Sequence, residues 1–169
     1  KTVLQKYDKS KFKVYLISNS NEDDETTSFF KSLVDEFFNI NNLSDHEAIT
    51  YIRKKKISIL IDLMGLTSTN RISLFKSRMS PIQVSWLGYC NTTGIDNMDY
   101  LLADRNTIKA HEKDLYSENI IYLPNIWNCH SGLKFTRIKN PAPFKKNNHI
   151  TFGSFNNFNK INEDVVKVW

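Results

Sequence analysis

The sequence predicts an α/β fold with a Rossmann-like, mainly parallel and doubly wound sheet. Short apolar runs rich in β-branched residues alternate along the chain with segments of helical periodicity, which is the order of elements in a parallel sheet crossed by helices. The 169 residues are 40% hydrophobic and 24% charged, a globular composition that excludes collagen, extended disorder and a disulfide-stapled mini-protein. No apolar run approaches the roughly 18 residues that a membrane-spanning helix needs.

The amino-terminal segment predicts a strand followed by a helix. The β-rich run 12–17 becomes continuously apolar toward its end, as expected for a strand covered on both faces. The acidic residues 22–25 follow, and acidic side chains are favoured at the positive, amino-terminal end of a helix. A metal site is the alternative interpretation, but nothing makes these four side chains converge on an ion. Apolar side chains then recur at helical spacing from Phe29 to Phe38, which predicts the helix itself.

A second helix and a second strand are predicted next. Ser44 and Glu47 have the spacing of a capping box, so a helix should begin there and run to about Lys55. The basic residues 53–56 would complement the negative end of that helix, although a nucleic-acid patch is the alternative interpretation. The run 57–63 predicts a buried strand that closes a βαβ unit.

The same alternation continues to residue 123. The predicted elements are a short helix over 70–78, strands over 82–87 and 98–103, a helix over 111–116 and a strand over 120–123. Ligands of such sheets bind beyond the carboxyl ends of the strands. The loops after Leu63, Leu87, Ala103 and Leu123 are therefore the places to look for a binding site.

A change of composition predicts a domain boundary. Residues 124–148 are rich in Asn, Pro and Lys and lack periodicity, as in a linker or covering segment. A new strand over 149–155 and a new helix over 161–169 would then begin a second domain. We expect a first domain at 1–140, a linker at 141–148 and the start of the second domain at 149–169, with both chain ends cut.

The loop after the predicted strand 82–87 is the first candidate binding segment. Gly88 and Gly94 permit positive φ or close approach of a ligand, while Thr92 and Thr93 offer hydroxyl and N–H groups. A tight surface loop with a hydroxyl-stabilised turn is the alternative interpretation.

The turn before the last predicted helix is the second candidate. A strand-to-helix turn presents free N–H groups to an anion, and Lys160 would add a positive charge. Glu163 and Asp164 compete with that role, and the segment lacks the glycine spacing of a Walker or dinucleotide motif. An Asn-capped helix with a solvated lysine is the alternative.

The remaining reactive residues indicate no metal site and no catalytic triad. The four histidines are scattered without i, i+4 pairing, and Cys129 and His130, although adjacent, would point apart in extended chain. Cys90 and Cys129 are too few for a disulfide framework, so we expect free thiols in a reducing, cytoplasmic compartment.

From residue 60 onward the chain resembles a known family. The matching segments, in order, are Asp62-Leu63-Met64-Gly65-Leu66-Thr67, then Arg71, Phe75 and Arg78, then Pro81 through Gly94, then Met98-Asp99-Tyr100, then Tyr116-Ser117-Glu118 with Tyr122-Leu123-Pro124, and Phe155 through Ile161. These segments resemble the catalytic region of protein O-GlcNAc transferases, and the stretch from Pro81 to Tyr100 is the most specific of them.

The resemblance implies a GT-B architecture of two Rossmann-like domains facing a cleft, preceded by tetratricopeptide repeats. It also implies inverting transfer of GlcNAc from UDP-GlcNAc to Ser or Thr hydroxyls of proteins, with no cofactor and no catalytic metal. Residues 1–140 would then be the amino-terminal catalytic domain and 149–169 the start of the nucleotide-sugar-binding domain. The expected partners are UDP-GlcNAc or a related nucleotide sugar and an acceptor protein, without membrane or nucleic acid.

The resemblance also assigns substrate-binding residues. Lys160 matches the family lysine at the donor diphosphate, and Asn157 stands where many members have Gln at the nucleotide. Thr92, Thr93 and Gly94 match the loop that lines the sugar pocket, where Cys90 and Asn91 replace the more common Pro-Gly. The family's active-site histidine would precede Lys1, so no catalytic residue is assigned and the isolated chain is expected to be inactive.

Three alternatives stay open. A GT-B transferase with another nucleotide-sugar donor would keep the fold and change the substrate. A nucleic-acid-binding module is favoured by the sequence pI of about 9.1 and by the basic run 53–56, although the sequence has no RNA-binding motif. A receiver-like signalling domain would need an acidic cluster that includes Asp62 or Asp104, which lie near strand ends.

Overall fold

The computed structural model describes residues 1–129 and 140–169, and the chain divides into two compact units, Lys1–Gly132 and Leu133–Trp169. In residues 1–129 the first unit contains three helices, α1 (Thr2–Lys6), α2 (Glu25–Lys31) and α3 (Asp45–Lys54), and six strands. The strands are β1 (Tyr15–Ser18), β2 (Glu36–Asn39), β3 (Ile59–Asp62), β4 (Ile82–Ser85), β5 (Tyr100–Ala103) and β6 (Asn119–Tyr122). Two 3-10 helices cover Ile72–Lys76 and Ala110–Leu115.

All strand pairs in the described residues are parallel, which confirms the predicted α/β class. β1 pairs with β2, and β3, β4, β5 and β6 form a four-stranded sheet in that order. The two sheets share one hydrophobic core, because Tyr15 and Ile17 of β1 pack against the cluster that contains Phe38 and Leu60. The strands predicted at 57–63, 82–87 and 98–103 are present with shorter bounds, and the strand predicted at 120–123 is present one residue earlier.

The helix predicted from residue 29 to residue 38 is wrong in its second half. Helix α2 begins after Asp24, whose carboxylate accepts a hydrogen bond from the Thr27 N–H at 2.7 Å, and it ends at Lys31. Phe37 and Phe38 lie instead in β2, opposite Leu16 and Ile17. Aromatic residues suit a strand as well as a helix, and pairing with β1 decides between the two.

Helix α3 confirms the predicted capping box. The Ser44 hydroxyl accepts from the Glu47 N–H at 3.3 Å, and the Glu47 carboxylate accepts from the Ser44 N–H at 2.9 Å. Arg53 and Lys54 lie in the last turn of the helix, which confirms the helix-end interpretation of the basic run. Lys55 is ion-paired with Glu36, so one positive charge of the run is neutralised within the fold.

One face of the four-stranded sheet is covered among the described residues, and the other is exposed in β3 but closed at Val84 of β4, which is 6% exposed. In register, Asp62, Ser85, Leu101 and Ile120 share the covered face. The connecting segments pack there through Ile72, Leu74, Phe75, Met79, Ile95, Met98, Ile108 and Tyr116. All three connections step in the same direction along the sheet, and right-handed crossovers in one direction lie on one face.

The open face corrects the prediction of a buried strand over 57–63. In β3, Leu60 is buried, whereas Ile59 and Ile61 keep 51% and 43% of their surface exposed. Ile82 and Ile121 add exposed apolar surface on the neighbouring strands. Strand β3 therefore has one covered and one exposed face.

The second unit contains short helices and no strand in its described part. Helix α4 (Phe144–Asn147), a 3-10 helix (Phe158–Lys160) and helix α5 (Glu163–Val168) follow one another, so the predicted linker 141–148 carries a helical turn and the predicted helix 161–169 is shorter. The strand predicted over 149–155 is absent. A strand needs a hydrogen-bonding neighbour, and none of the described residues pairs with this segment.

Two further points concern the segment 124–148 and the length of the helices. Of the predicted linker or covering segment 124–148, residues 130–139 lie outside the described residues. No helix in the part that the structure describes is long and apolar enough to cross a membrane.

Candidate functional site

The loop between β4 and β5 crosses close to the end of β3. The Trp86 N–H donates to the Asp62 carbonyl at 2.9 Å, and Gly88 packs directly on the backbone of the β3 end. A Cβ atom at Gly88 would overlap the Leu63 carbonyl oxygen and approach the Met64 carbonyl oxygen to 2.7 Å. Gly88 is therefore required by close backbone approach, one of the two roles that the sequence predicted for it.

The threonines of this loop converge on one buried carboxylate, that of Glu118. Its Oε1 accepts from the Thr93 N–H at 2.7 Å and also from the Thr93 hydroxyl. Its Oε2 accepts from the Thr92 hydroxyl at 2.8 Å. Glu118 is only 4% exposed and directly precedes β6, so the loop is bound to the beginning of that strand.

Most polar groups of residues 92–94 are engaged inside the loop. The Thr92 oxygen accepts from the N–H groups of Gly94 and Ser117, both at 3.2 Å. The Thr92 N–H donates to the Asn91 side chain at 2.8 Å. Gly94 has a φ of +65° and open space where a Cβ would stand. The Thr92 and Thr93 hydroxyls, which the sequence suggested as donors to a ligand, thus donate to Glu118. The loop would therefore contact a ligand through its surface shape and not through these hydroxyls.

Two aspartates at the carboxyl ends of strands are occupied by backbone donors. Asp62 accepts from Gly65 N–H at 2.6 Å and from Met64 N–H at 3.2 Å. Burial nevertheless raises the pKa of the Asp62 carboxyl above its ordinary value, with these two hydrogen bonds opposing the effect. These contacts tie the carboxylate to the turn that follows β3.

Asp104, after β5, binds the segment that follows β6. It accepts from Trp127 N–H at 2.7 Å, from Asn106 N–H at 2.8 Å and from Thr107 N–H at 2.9 Å. The Trp127 hydrogen bond is the largest cause that lowers the pKa of this carboxyl. Asp62 and Asp104 are therefore structural acceptors, and among residues 1–129 and 140–169 no three His, Cys, Asp or Glu side chains gather as in a receiver or metal site.

A shallow apolar groove lies beside these carboxyl ends. It has a volume of about 300 Å³ and is lined mainly by Trp86, Leu123, Pro124, Ile126 and Trp127. The Trp86 ring N–H donates to the Trp127 carbonyl at 2.9 Å, which joins the two walls of the groove. Cys129 also lines it, and Cys90 and Cys129 are both free thiols.

Asn157 and Lys160 lie together in the second unit, within the turn before α5. The Asn157 side chain accepts from Asn159 N–H at 3.0 Å, and the Asn157 carbonyl accepts from Lys160 N–H at 2.9 Å. Both residues are exposed. Helix α5 begins at Glu163 after the cap residue Asn162, so the turn is formed by two Asn caps and does not follow a strand, as the sequence had predicted.

The structure thus gathers the predicted site residues in two local groups. Thr92, Thr93 and Gly94 belong to the loop after β4 in the first unit, and Asn157 and Lys160 belong to the turn in the second. Sequence reasoning assigned no role to Glu118, although it lies in one of the matching segments. A glutamate directly before an apolar strand was the available signal, but its partners are about 25 residues away and invisible locally.

Comparison with known proteins gives a consistent result. The sequence profile of Glycosyl transferase family 41 matches residues 1–135. A "Probable UDP-N-acetylglucosamine--peptide N-acetylglucosaminyltransferase SPINDLY" of Solanum lycopersicum is 32% identical over 98% of this chain, and a protein of the same description named SEC from Arabidopsis thaliana is 27% identical over 89%. The chain spans only 18% and 16% of those two relatives.

A solved structure is similar as well. A mutant of the O-GlcNAc transferase of Thermobaculum terrenum matches with a TM-score of 0.72 and 32% sequence identity. The match covers 74% of this chain and 24% of that one. The likeness therefore extends over most of the fold described above.

Proposed function

The chain belongs to glycosyl transferase family 41, and we propose that it works within an inverting transferase that moves N-acetylglucosamine from UDP-GlcNAc to serine and threonine hydroxyls of proteins. The observation that carries the proposal is the 32% identity along 98% of the chain with a relative described as an N-acetylglucosaminyltransferase acting on peptides. The same identity to an O-GlcNAc transferase with a TM-score of 0.72 supports it. The GT-B division into domains 1–140 and 149–169 belongs to the proposal.

The loop after β4 would shape the pocket for the donor sugar. Its backbone packs on the end of β3 at Gly88, takes a positive φ at Gly94 and is held by Glu118, so it offers a fixed surface. A fixed pocket orients the sugar without reorganisation during the reaction, which lowers the barrier to transfer. Cys90 and Asn91 would give this pocket an outline different from that of relatives with Pro-Gly.

Lys160 would bind the donor diphosphate. Its ammonium group is exposed and makes no ion pair with the described acidic residues. Negative charge grows on the departing UDP as the glycosidic bond breaks, and a lysine placed there stabilises that charge in the transition state. Asn157, whose side-chain oxygen caps the 3-10 helix Phe158–Lys160 that follows it, would keep its amide N–H groups for the nucleotide.

A paired substitution tests the role of Lys160 in the full-length polypeptide. Lys160→Met should lower kcat by about a hundredfold or more, because removing a donor that stabilises transition-state charge costs about that much. Lys167→Met is the matched control, since Lys167 is an exposed lysine of α5 that pairs with Asp164 at 3.2 Å. Equal kcat values for the two variants would contradict the assignment.

A different donor is the second candidate, and it rests on the unusual Cys90-Asn91 pair in the sugar loop. Thermal unfolding of the full-length polypeptide with a panel of nucleotide sugars separates the two. A ligand that binds only the folded state raises Tm, and the rise grows with the ratio of ligand concentration to Kd. UDP-GlcNAc should give the largest shift, and a larger shift with another nucleotide sugar would replace it as the donor.

We place this activity in the cytoplasm and assign it no cofactor or metal. The location is supported by the two free thiols, which persist in a reducing compartment. Metal independence is tested by transfer in the presence of EDTA, which should leave the rate unchanged.

A further inference from the structure

Residues 92–94 have no regular secondary structure to hold them. They lie between β4 and β5 in a segment without strand pairing, and Gly94 adopts a left-handed conformation. The segment is anchored later by Ile95 and Met98, which are buried in the core. What fixes residues 92–94 themselves is the set of three hydrogen bonds to Glu118 and the Ser117 contact with Thr92.

The Glu118 carboxylate depends on hydrogen-bond donors that the loop supplies. The carboxylate is 4% exposed, and no lysine, arginine or histidine within the described ranges forms an ion pair with it. A buried carboxylate without a cation is stable only if hydrogen-bond donors satisfy it. In the described part of the chain, all groups that donate a hydrogen bond to the Glu118 carboxylate belong to Thr92 and Thr93.

The backbone of Glu118 is itself fixed by the sheet. The next residue, Asn119, begins β6, and its N–H donates to the Asp99 carbonyl at 3.0 Å. The ladder continues through Leu101 opposite Ile120, both on the covered face. Glu118 therefore connects a rigid strand to a loop that lacks its own ladder.

We propose that Glu118 is a positioning residue for the donor-sugar loop, holding Thr92 and Thr93 so that the loop keeps the shape that binds the sugar. The proposal rests on the proposed function of that loop. Glu118 touches no reacting atom in this account, so its loss should weaken donor binding much more than it slows the chemical step.

Glutamine satisfies fewer of these donors than the carboxylate in either orientation. With its N–H groups toward Thr93, the amide would face the Thr93 N–H, so two donors would meet. With its N–H groups toward Thr92, it would face an oxygen that already accepts from the N–H groups of Gly94 and Ser117. Glu118→Gln should therefore release the loop while keeping the size of the side chain.

The experiment measures donor kinetics in the full-length polypeptide. Glu118→Gln should raise KM for UDP-GlcNAc by about tenfold and change kcat by less than about twofold. Glu112→Gln is the matched control, because Glu112 is a half-buried glutamate whose carboxylate accepts one backbone hydrogen bond, from Lys109 at 2.7 Å, and forms no hydrogen bond with the loop. A fall in kcat without a rise in KM would overturn the proposal, since a merely structural role lowers the active fraction and leaves KM unchanged.

Hydrogen exchange gives a second readout that does not depend on activity. In this chain, the Thr93 amide should exchange at least about tenfold faster after Glu118→Ala, which removes the acceptor of its N–H, and at the original rate after Glu112→Ala. An unchanged Thr93 rate would overturn the proposal. If Glu118→Gln does not fold, Thr93→Val removes one hydroxyl donor and should raise KM in the same direction.

The two readouts also separate this proposal from the proposed function. If the unsubstituted full-length polypeptide transfers no sugar, the proposed function fails, and the exchange rate alone then decides whether Glu118 holds the loop.

Discussion

Buried carboxylates at the residue scale are satisfied here by backbone N–H groups and hydroxyls. Asp62, Asp104 and Glu118 each accept from donors in a different loop, and each thereby fixes a segment that has no ladder of its own. The sequence marked Asp62 and Asp104 as strand-end residues and Glu118 as part of a family match. It could not supply their partners, because these depend on which loops the folded sheet brings together.

Asp62 should make stability depend on pH in a specific direction. Burial raises its pKa in the folded state above the ordinary 3.8, so the folded state binds more protons than the unfolded state between those two values. Its contribution is therefore most favourable below the ordinary pKa and is lost as pH rises through the raised one. Urea unfolding of the native protein and Asp62→Asn across this range should show the native protein losing stability relative to the variant as pH rises.

A constant difference in unfolding free energy between the two proteins across that pH range would contradict the assignment. A difference that grows in the opposite direction would show that hydrogen bonds to Gly65 and Met64 outweigh burial.

The two loop glycines should respond differently to alanine. At Gly88 a Cβ would overlap backbone atoms of Leu63 and Met64, and such overpacking costs about 3 kcal/mol where the backbone must move. At Gly94 the space is open and only the positive φ opposes a side chain, which costs about 1 kcal/mol. Chemical denaturation of Gly88→Ala and Gly94→Ala measures the difference, and equal losses would show that the loop is not packed on the end of β3.

At the scale of elements, the outcome of each prediction depended on whether its signal lies within the element or in a pairing partner. Helix α3 followed from the Ser44 capping box and its apolar spacing, both of which lie within the helix. Strand β2 was missed because Phe37 and Phe38 fit a helical pattern, and only pairing with β1 makes them a strand. The strand predicted over 149–155 failed for the converse reason: its residues have β propensity but no described neighbour to pair with.

Adjacent residues of β3 should show which face of the sheet is covered. Leu60 is 6% exposed and packs in the core, so Leu60→Ala should cost about 2–5 kcal/mol of unfolding free energy. Ile61 points to the open face at 43% exposure, and Ile61→Ala should cost no more than about 1.5 kcal/mol. Equal costs in urea unfolding of this chain would contradict an open face.

At the scale of the whole molecule, the composition predicted a globular chain, the alternation of apolar runs with helical segments predicted its α/β class, and the motif order predicted its family. The open apolar face was not predictable from periodicity, since a continuous apolar run such as 57–63 reads the same whether one face or two are covered. Parallel sheets are normally covered on both faces.

The central claim is that this chain works within a protein N-acetylglucosaminyltransferase. Its most direct test is the intact mass of an acceptor protein after incubation with UDP-GlcNAc and the full-length polypeptide, with the isolated 169-residue chain as a parallel sample. The account predicts a mass increase of whole N-acetylhexosamine units, located on Ser or Thr hydroxyls, with the full-length polypeptide and none with the isolated chain. An unmodified acceptor after incubation with the full-length polypeptide, or transfer of a different sugar from a different donor, would contradict it.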